Sequence, residues 1–426
     1  MTPTDLPINQ KQSELYRRLA AGDHADGPRG TIAFCVSTDD LDEGKGDVYV
    51  ALGLAKYLQR LGWGVRLWPA SSWCDPMPRV DVAIAMVESF VPGLVDEHTS
   101  VVAWVRNWTE RWMELPYLDV FDGVWASSTA SAEALRARTG GDVPVVPIAV
   151  DLELFAPADE APETRFAAMT TVNFWGADRE IMDAIDGLPE TRSVMWFGAN
   201  GEHLRLPQHA EHGGILDFFA LPSAYAASSV VLDDVIPPAK RYGNHNSRLF
   251  ESIAAGALPV TNARDGLDEL GLDEVPVYSD SATLDAALGA AAGPEGTELA
   301  AKLGAVVRER HSYERRAEAL DPLLIGLRDA AARGTGRPSA LLAWAAGLQA
   351  NLMRAESERD AFLADARAVG TERNALQAEL GAVRGESALL RARLEAVTSA
   401  RSYPYYRAAQ RAYGLLLRVG RRLLGR

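Results

Sequence analysis

Between Thr31 and Tyr278 short apolar runs alternate with longer segments whose apolar residues recur at helical spacing, in two successive series. Strands separated by helices pair in parallel, and a parallel sheet is covered by helices on both faces. In the first series, strands are predicted over Thr31–Ser37, Val65–Trp68, Asp81–Val87, Ser100–Val105, Gly123–Ala126 and Val143–Pro147. Helices are predicted over Val48–Leu61, where Val50, Leu54, Tyr57, Leu58 and Leu61 share a face, and over Thr129–Arg138. The second series predicts strands Phe166–Asn173, Ser193–Phe197, Val230–Asp233, Leu258–Thr261 and Pro276–Tyr278, with helices Arg179–Ile185, Asn246–Ala255 and Ala282–Ala292. The expected fold class is therefore α/β, with two doubly wound domains over 31–150 and 151–334. An extension, 1–30, carries a short helix at Gln10–Ala20 and a Gly/Asp/Pro-rich linker.

Past Gly334 the composition changes to Ala, Leu, Arg and Glu, and apolar residues repeat in alternating steps of four and three. The seam runs through Leu348, Leu352, Ala355, Phe362, Ala366, Val369, Leu376, Leu380, Val383, Leu390, Leu394 and Val397, with Arg359, Arg373 and Ser387 at its polar positions. A 3.5-residue period sustained this long predicts a coiled coil over 335–400 and a homo-oligomer built through 341–397. A long helix lying on its own globular domain is the alternative.

The chain of 426 residues has a net charge of −15, which argues against a nucleic-acid partner. The charge is unevenly placed. Residues 401–426 hold seven arginines and no acid, which leaves −22 on residues 1–400. Those arginines alternate with Tyr405, Tyr406, Tyr413, Leu416, Leu417, Val419, Leu423 and Leu424, the pattern of a basic amphipathic helix at an anionic membrane surface. The start of the sequence lacks a signal-peptide pattern, and no apolar run is long enough to span a bilayer. The expected location is cytoplasmic, peripheral on the inner face of the cell membrane. Cys35 and Cys74 supply neither a disulfide framework nor a zinc-ligand pattern. Asp40-Leu41-Asp42 is a short D-x-D string read as loop acids, so no metal is expected.

The stretch Tyr242–Thr261, YGNHNSRLFESIAAGALPVT, carries the most specific chemistry. Asn246 or Ser247 is placed to cap a helix whose exposed first turn presents Arg248 and Glu251. Free N–H groups at such an end suit a diphosphate, and a carboxylate one turn in suits a vicinal diol. The plain alternative is a capped helix with a capping-box acid.

This stretch resembles the donor-site signature of GT-B glycosyltransferases, in particular the CgeB-like branch and the "glycosyl transferases group 1" domain. Three further segments agree in order: Gly44-Lys45-Gly46-Asp47, similar to the glycine-rich loop after the first strand; Val146–Pro157, similar to the interdomain segment; and the run His311–Ala317, similar to the closing helix. The resemblance implies two Rossmann-like domains and a nucleotide sugar as substrate, with no cofactor. It implies that Glu251 binds ribose hydroxyls and that Asn246, Ser247 and Arg248 lie against the diphosphate. Gly46 would belong to the same site, with Arg179, Lys240 and Arg241 as candidate phosphate cations. Many retaining relatives carry a second glutamate eight positions earlier, where this sequence has Gly243; Asn244 or Asn246 is the candidate substitute.

In the first half, the run Val105–Trp112 follows a strand end expected to face the interdomain cleft. Glu110 or Asp47 is the candidate general base. Trp108 and Trp112 suit either sugar stacking or packing. The expected activity is a metal-independent hexosyl-type transfer to a glycan or lipid-linked saccharide in envelope polysaccharide synthesis. A nucleotide-sugar epimerase and a catalytically silent scaffold on the same fold are the alternatives.

Overall fold

A computed structural model describes residues 6–156, 166–173, 179–198, 206–291, 293–335, 339–399 and 403–423. Helix α1 (Gln10–Ala20) is capped by the Asn9 side chain and packs against the first sheet domain. That domain contains β1 (Thr31–Val36), α2 (Gly46–Arg60), β2 (Gly64–Pro69), β3 (Val82–Ala85), β4 (Ser100–Val105), α3 (Thr109–Glu114), β5 (Gly123–Ala126) and α4 (Thr129–Thr139). Its strands are all parallel, in the order β2-β1-β3-β4-β5. The unbroken apolar character of β1 and β4 follows from helical cover on both faces, and Ile32 to Val36 and Val101 to Val105 are fully buried.

The second domain contains β6 (Phe166–Thr171), α5 (Glu180–Asp186), β7 (Val194–Phe197), β8 (Ala210–Gly214), α6 (Leu221–Ala226), β9 (Ser228–Asp233), α7 (Pro237–Lys240), α8 (Ser247–Ala254), β10 (Leu258–Thr261), α9 (Ser281–Ala291) and α10 (Pro294–Arg310). The order is β10-β9-β6-β7-β8, again parallel. Strand order reverses between β1 and β3 in the first sheet and between β6 and β9 in the second. Those are the crevices where ligands of open α/β sheets gather.

Helix α11 (Tyr313–Arg333) follows the second domain in sequence but packs on α2, β3 and β4 of the first. Trp63 Nε1 donates to Asp321 Oδ1 at 2.8 Å, and Ser100 Oγ to the Leu327 carbonyl at 2.9 Å. Division by packing therefore differs from a linear division at 151 and 334. The two crossing segments meet in a parallel bridge between Val150 and Ser312. Beside it, the carboxylate of Asp151 (2 % exposed) accepts from Lys56 Nζ at 2.7 and 2.9 Å, Tyr16 at 2.9 Å and Tyr57 at 2.7 Å. An ion pair buried this deeply depends on both partners and their extra hydrogen bonds.

The predicted strands Val143–Pro147 and Pro276–Tyr278 are only single bridges, Ala126 with Val145 and Thr261 with Val277. Strand β8, with the sequence AEHGG, is half-buried or exposed throughout and has no apolar run; the pattern gave no sign of it.

Helix α12 (Ser339–Ser399) is 61 residues long and α13 (Tyr403–Leu423) is 21. The chain divides into two compact units at Leu352/Met353. Along α12 the seam side chains Phe362, Val369, Leu376, Val383 and Leu394 are more than half exposed. No described helix is long and apolar enough to cross a membrane. Of the basic tail, residues 401, 402 and 424–426 lie outside the described set.

Candidate functional site

The carboxyl edge of the second sheet gathers a buried polar cluster. Asp233 ends β9, Thr171 ends β6 and Thr261 ends β10. Arg248, in the first turn of α8, spans the switch point. Its Nε donates to Thr171 Oγ1 at 2.9 Å, Nη2 to the Thr171 carbonyl at 2.6 Å and Nη1 to Asp233 Oδ1 at 3.0 Å. Asp233 is fully buried, so this pair supplies the compensation its charge requires. Next to it, Asp234 (1 % exposed) accepts from Arg179 Nη1 at 3.2 Å, the Ile181 amide at 3.3 Å and Asn262 Nδ2 at 3.2 Å. Burial raises the Asp234 carboxyl and Arg179 holds it down.

Glu251 lies one turn further along α8. It is 7 % exposed, buried where the sequence places it on an exposed turn. The rest of α8 carries Leu249, Phe250, Ile253 and Ala254 into the core and takes Glu251 down with it. Burial pushes its carboxyl up to about 7, against a hydrogen bond from Ser247 and the charge of Arg248. Its charge also acts on Tyr313, the first residue of α11. The Tyr313 ring lies against Gly53 of α2, and Phe250, beside Glu251, has its ring 5.3 Å from that of His311, so α8 adjoins the segment that crosses between the sheet domains.

Asn246 is the N-cap residue of α8 by position, but its side chain does not cap the helix. Its amide donates instead to Asp233 Oδ1 and the Asp234 carbonyl, both at 3.0 Å. This corrects the expected cap, and it leaves the amino end of α8 without side-chain cover among the described residues. An end of that kind, beside a carboxylate, is suited to an anion whose neighbouring group carries hydroxyls.

The candidate phosphate cations are all paired. Arg248 holds Asp233, Arg179 holds Asp234, Lys240 meets Glu180 Oε2 at 2.8 Å, and Arg241 pairs with Glu110. The expected role of Arg248 and Arg179 toward a ligand is thus occupied by their own carboxylates. Gly243 has φ +63°, and the backbone of Gly266 packs on it so closely that a Cβ at Gly266 would meet the Gly243 oxygen at 2.4 Å. This loop therefore has glycine for a conformational reason, and a glutamate there would be strained. Neither substitute is free: Asn244 lies 2.7 Å from Ser127 Oγ and 3.3 Å from Thr109 Oγ1, tying the two domains together, and Asn246 is spent as described.

On the facing edge, Asp47 accepts from the Ser37 amide and hydroxyl, both at 2.7 Å, bracing the β1–α2 connection. Gly46 opens α2, whose N-cap residue, Lys45, makes no side-chain cap bond, and a Cβ at Gly46 would meet nothing within 4 Å. Gly44 of the same loop has its carbonyl 3.5 Å from Asn173 Nδ2, so the loop faces the end of β6. Trp112 is buried against Phe121 and belongs to the core. Trp108 is half-buried, with φ +52° and the Arg111 guanidinium 3.7 Å over its ring. A non-glycine residue in that region is strained, a cost found most often at functional loops.

Sequence assigned no role to Asp233, Asp234, Thr171 or Asn262, and marked Tyr313 and Arg106 only as members of the runs His311–Ala317 and Val105–Trp112. The signal available for Asp233 was its position at the end of a predicted strand. Among the described residues no group of three or more His, Cys, Asp or Glu side chains is arranged to hold a metal ion.

Two facing doubly wound sheets, with buried carboxylates at the edge of the second, define an α/β protein of the GT-B kind. Residues 154–321 match the family model described as glycosyl transferase-like. The fold is similar to that of AviGT4, a glycosyltransferase involved in avilamycin A biosynthesis. The identity is 17 %, the match covers 70 % of this chain and 98 % of that one, and the TM-score is 0.50. A glycosyltransferase from Rickettsia africae aligns at 13 % identity over 70 % of this chain and 98 % of its own, with TM-score 0.47. The O-GlcNAc transferase of Thermobaculum terrenum aligns at 13 % identity over 77 % and 70 %, with TM-score 0.48. No curated protein matches the sequence.

Proposed function

We propose that the chain is a glycosyltransferase that takes a sugar from a nucleotide-activated donor, with the donor on the second sheet domain and the acceptor on the first. One observation carries this reading: within the segment matched by the glycosyl transferase-like model, Glu251 lies buried one turn into α8, whose amino end has no side-chain cap. A ribose diol donating to Glu251 would set the adjoining diphosphate at that end. In transfer, the acceptor oxygen bonds to the anomeric carbon while the bond to the diphosphate breaks, and the electron pair leaves with the diphosphate. The acceptor proton passes to a carboxylate, for which Asp47 at the facing edge is the candidate. The reaction needs neither a metal nor a resident cofactor. A thermal-shift screen across nucleotide sugars tests the reading, since a bound donor raises the melting temperature. Glu251→Ala is expected to abolish the shift; a shift unchanged in that variant would remove Glu251 from the site. Isomerisation of the donor without acceptor would favour an epimerase. The glycine at 243 supports the silent-scaffold alternative, and transfer to any acceptor would end it.

The tail supports a peripheral membrane location and a lipid-linked or glycan acceptor. On α13, Arg407, Arg411 and Arg418 share one face, while Tyr405, Tyr406, Tyr413, Leu416 and Val419 occupy the other, and all eight are exposed. Apolar and cationic faces in this proportion suit an anionic leaflet. A second copy of the chain is the proposed partner of the exposed α12 seam, and pairing would double the tail's weak attraction. Pelleting with vesicles containing anionic lipid is expected for the full chain and not for residues 1–400. Sedimentation as a monomer at micromolar concentration would remove the coiled coil.

A further inference from the structure

Arg106 differs from the four candidate phosphate cations of the second domain, each of which holds a carboxylate. It follows β4 at the carboxyl edge of the first sheet, is 8 % exposed, and donates one nitrogen to the Met86 carbonyl at the end of β3. Its Nε is buried without a partner, and among the described residues it has no ion pair. The guanidinium is flanked by the Trp104 ring and feels the charges of Asp47, Tyr313 and Glu88; Glu88 is itself paired with Arg111. A buried cation with an orphaned donor is costly, and such costs persist where a ligand completes the site.

The opposite edge presents the complementary deficit. Arg179, Lys240, Arg241 and Arg248 are each matched by a carboxylate, and Glu251 adds a further acid. A diphosphate bound there would gain negative charge on leaving, and each of those four cations already has a carboxylate partner. Ser127 links the two sides: its hydroxyl lies 3.1 Å from the Arg106 carbonyl and 2.7 Å from Asn244 Oδ1, two residues before the N-cap position of α8. The uncapped amino end of α2 follows β1, the neighbour of β3 in the sheet, and adds partial positive charge at the same edge.

We infer that Arg106, from the first domain, neutralises the leaving diphosphate of a donor held by the second. This rests on the glycosyl-transfer reading. Bond breaking sends the anomeric C–O electron pair to the diphosphate, and the fixed guanidinium stabilises that developing charge without itself gaining or losing a proton. Neutralisation then occurs only when both domains embrace the donor, which couples chemistry to closure.

The test uses the full chain, with inorganic pyrophosphate and a set of nucleoside diphosphates as thermal-shift probes, followed by transfer kinetics. In Arg106→Met the melting temperature without ligand is expected to stay level or rise, because an uncompensated buried charge is removed. The pyrophosphate shift is expected to vanish and kcat to fall about a hundred-fold with KM changed far less. Arg106→Lys, which keeps the charge, is expected to recover part of both, and added guanidinium to rescue the methionine variant. A pyrophosphate shift and kcat retained in Arg106→Met would overturn the inference, as would a fall in melting temperature that Arg106→Lys repairs without restoring the shift. If no nucleoside diphosphate shifts the wild-type chain, the glycosyl-transfer reading itself fails, an outcome separate from the other two.

Discussion

The two sheets each carry an arginine at the carboxyl edge, and the two arginines are in opposite states. Arg248 spans β6 and β9 with all three kinds of guanidinium nitrogen engaged and a fully buried carboxylate as its partner. Arg106 lies over the end of β3 with one nitrogen engaged and no carboxylate. The same residue type at a sheet's carboxyl edge therefore does not imply the same task. Arg248 holds the second edge together, whereas Arg106 is left with unspent interaction energy, and it is the unspent group that has capacity for a ligand.

The comparison breaks most readily at Arg248. Arg248→Met leaves Asp233 buried and unpaired, and urea unfolding is expected to show a loss of about 3–5 kcal/mol, while Arg106→Met loses almost nothing. Equal losses in the two variants would erase the distinction. Glu251 sharpens it. Folded, this carboxyl keeps its proton to about pH 7, whereas its ordinary value is 4.5. Between those values the folded chain binds the extra proton, so stability is full below about 4.5, falls as pH rises toward 7, and is level above. The span is on the order of 3 kcal/mol, and Glu251→Gln is expected to remove that slope from denaturation curves across the same window. Because a carboxylate accepts from a diol better than its acid does, donor affinity should rise through pH 7 in the same protein. The smallest effect belongs to the exposed Arg241–Glu110 pair that joins the domains: Arg241→Ala is expected to change stability by less than about 1 kcal/mol.

Much of the fold was legible because burial on both faces makes a parallel strand apolar throughout. Runs such as TIAFCV and SVVAWV mark themselves, and β1, β4, β5 and β10 begin where the pattern places them. Strand β8 did not, since its five residues are half-buried or exposed and carry no apolar run. Around the candidate site the sequence singled out α8 and Glu251 but placed them at the surface. Helical spacing says which residues share a face, and Glu251 falls between Phe250 and Ser252, both buried, in a helix enclosed on nearly every side.

From the sequence alone came the two alternating series, the heptad seam and the segregation of basic charge into the last 26 positions, because each is a local periodicity or a composition. Tertiary structure alone decided which charges are spent. Pairing of Arg248 with Asp233, Arg179 with Asp234 and Arg241 with Glu110, and the isolation of Arg106, depend on strand ends brought together across a sheet or between domains. Whether a charge is free is a property of three-dimensional neighbours, and no spacing along the chain records it.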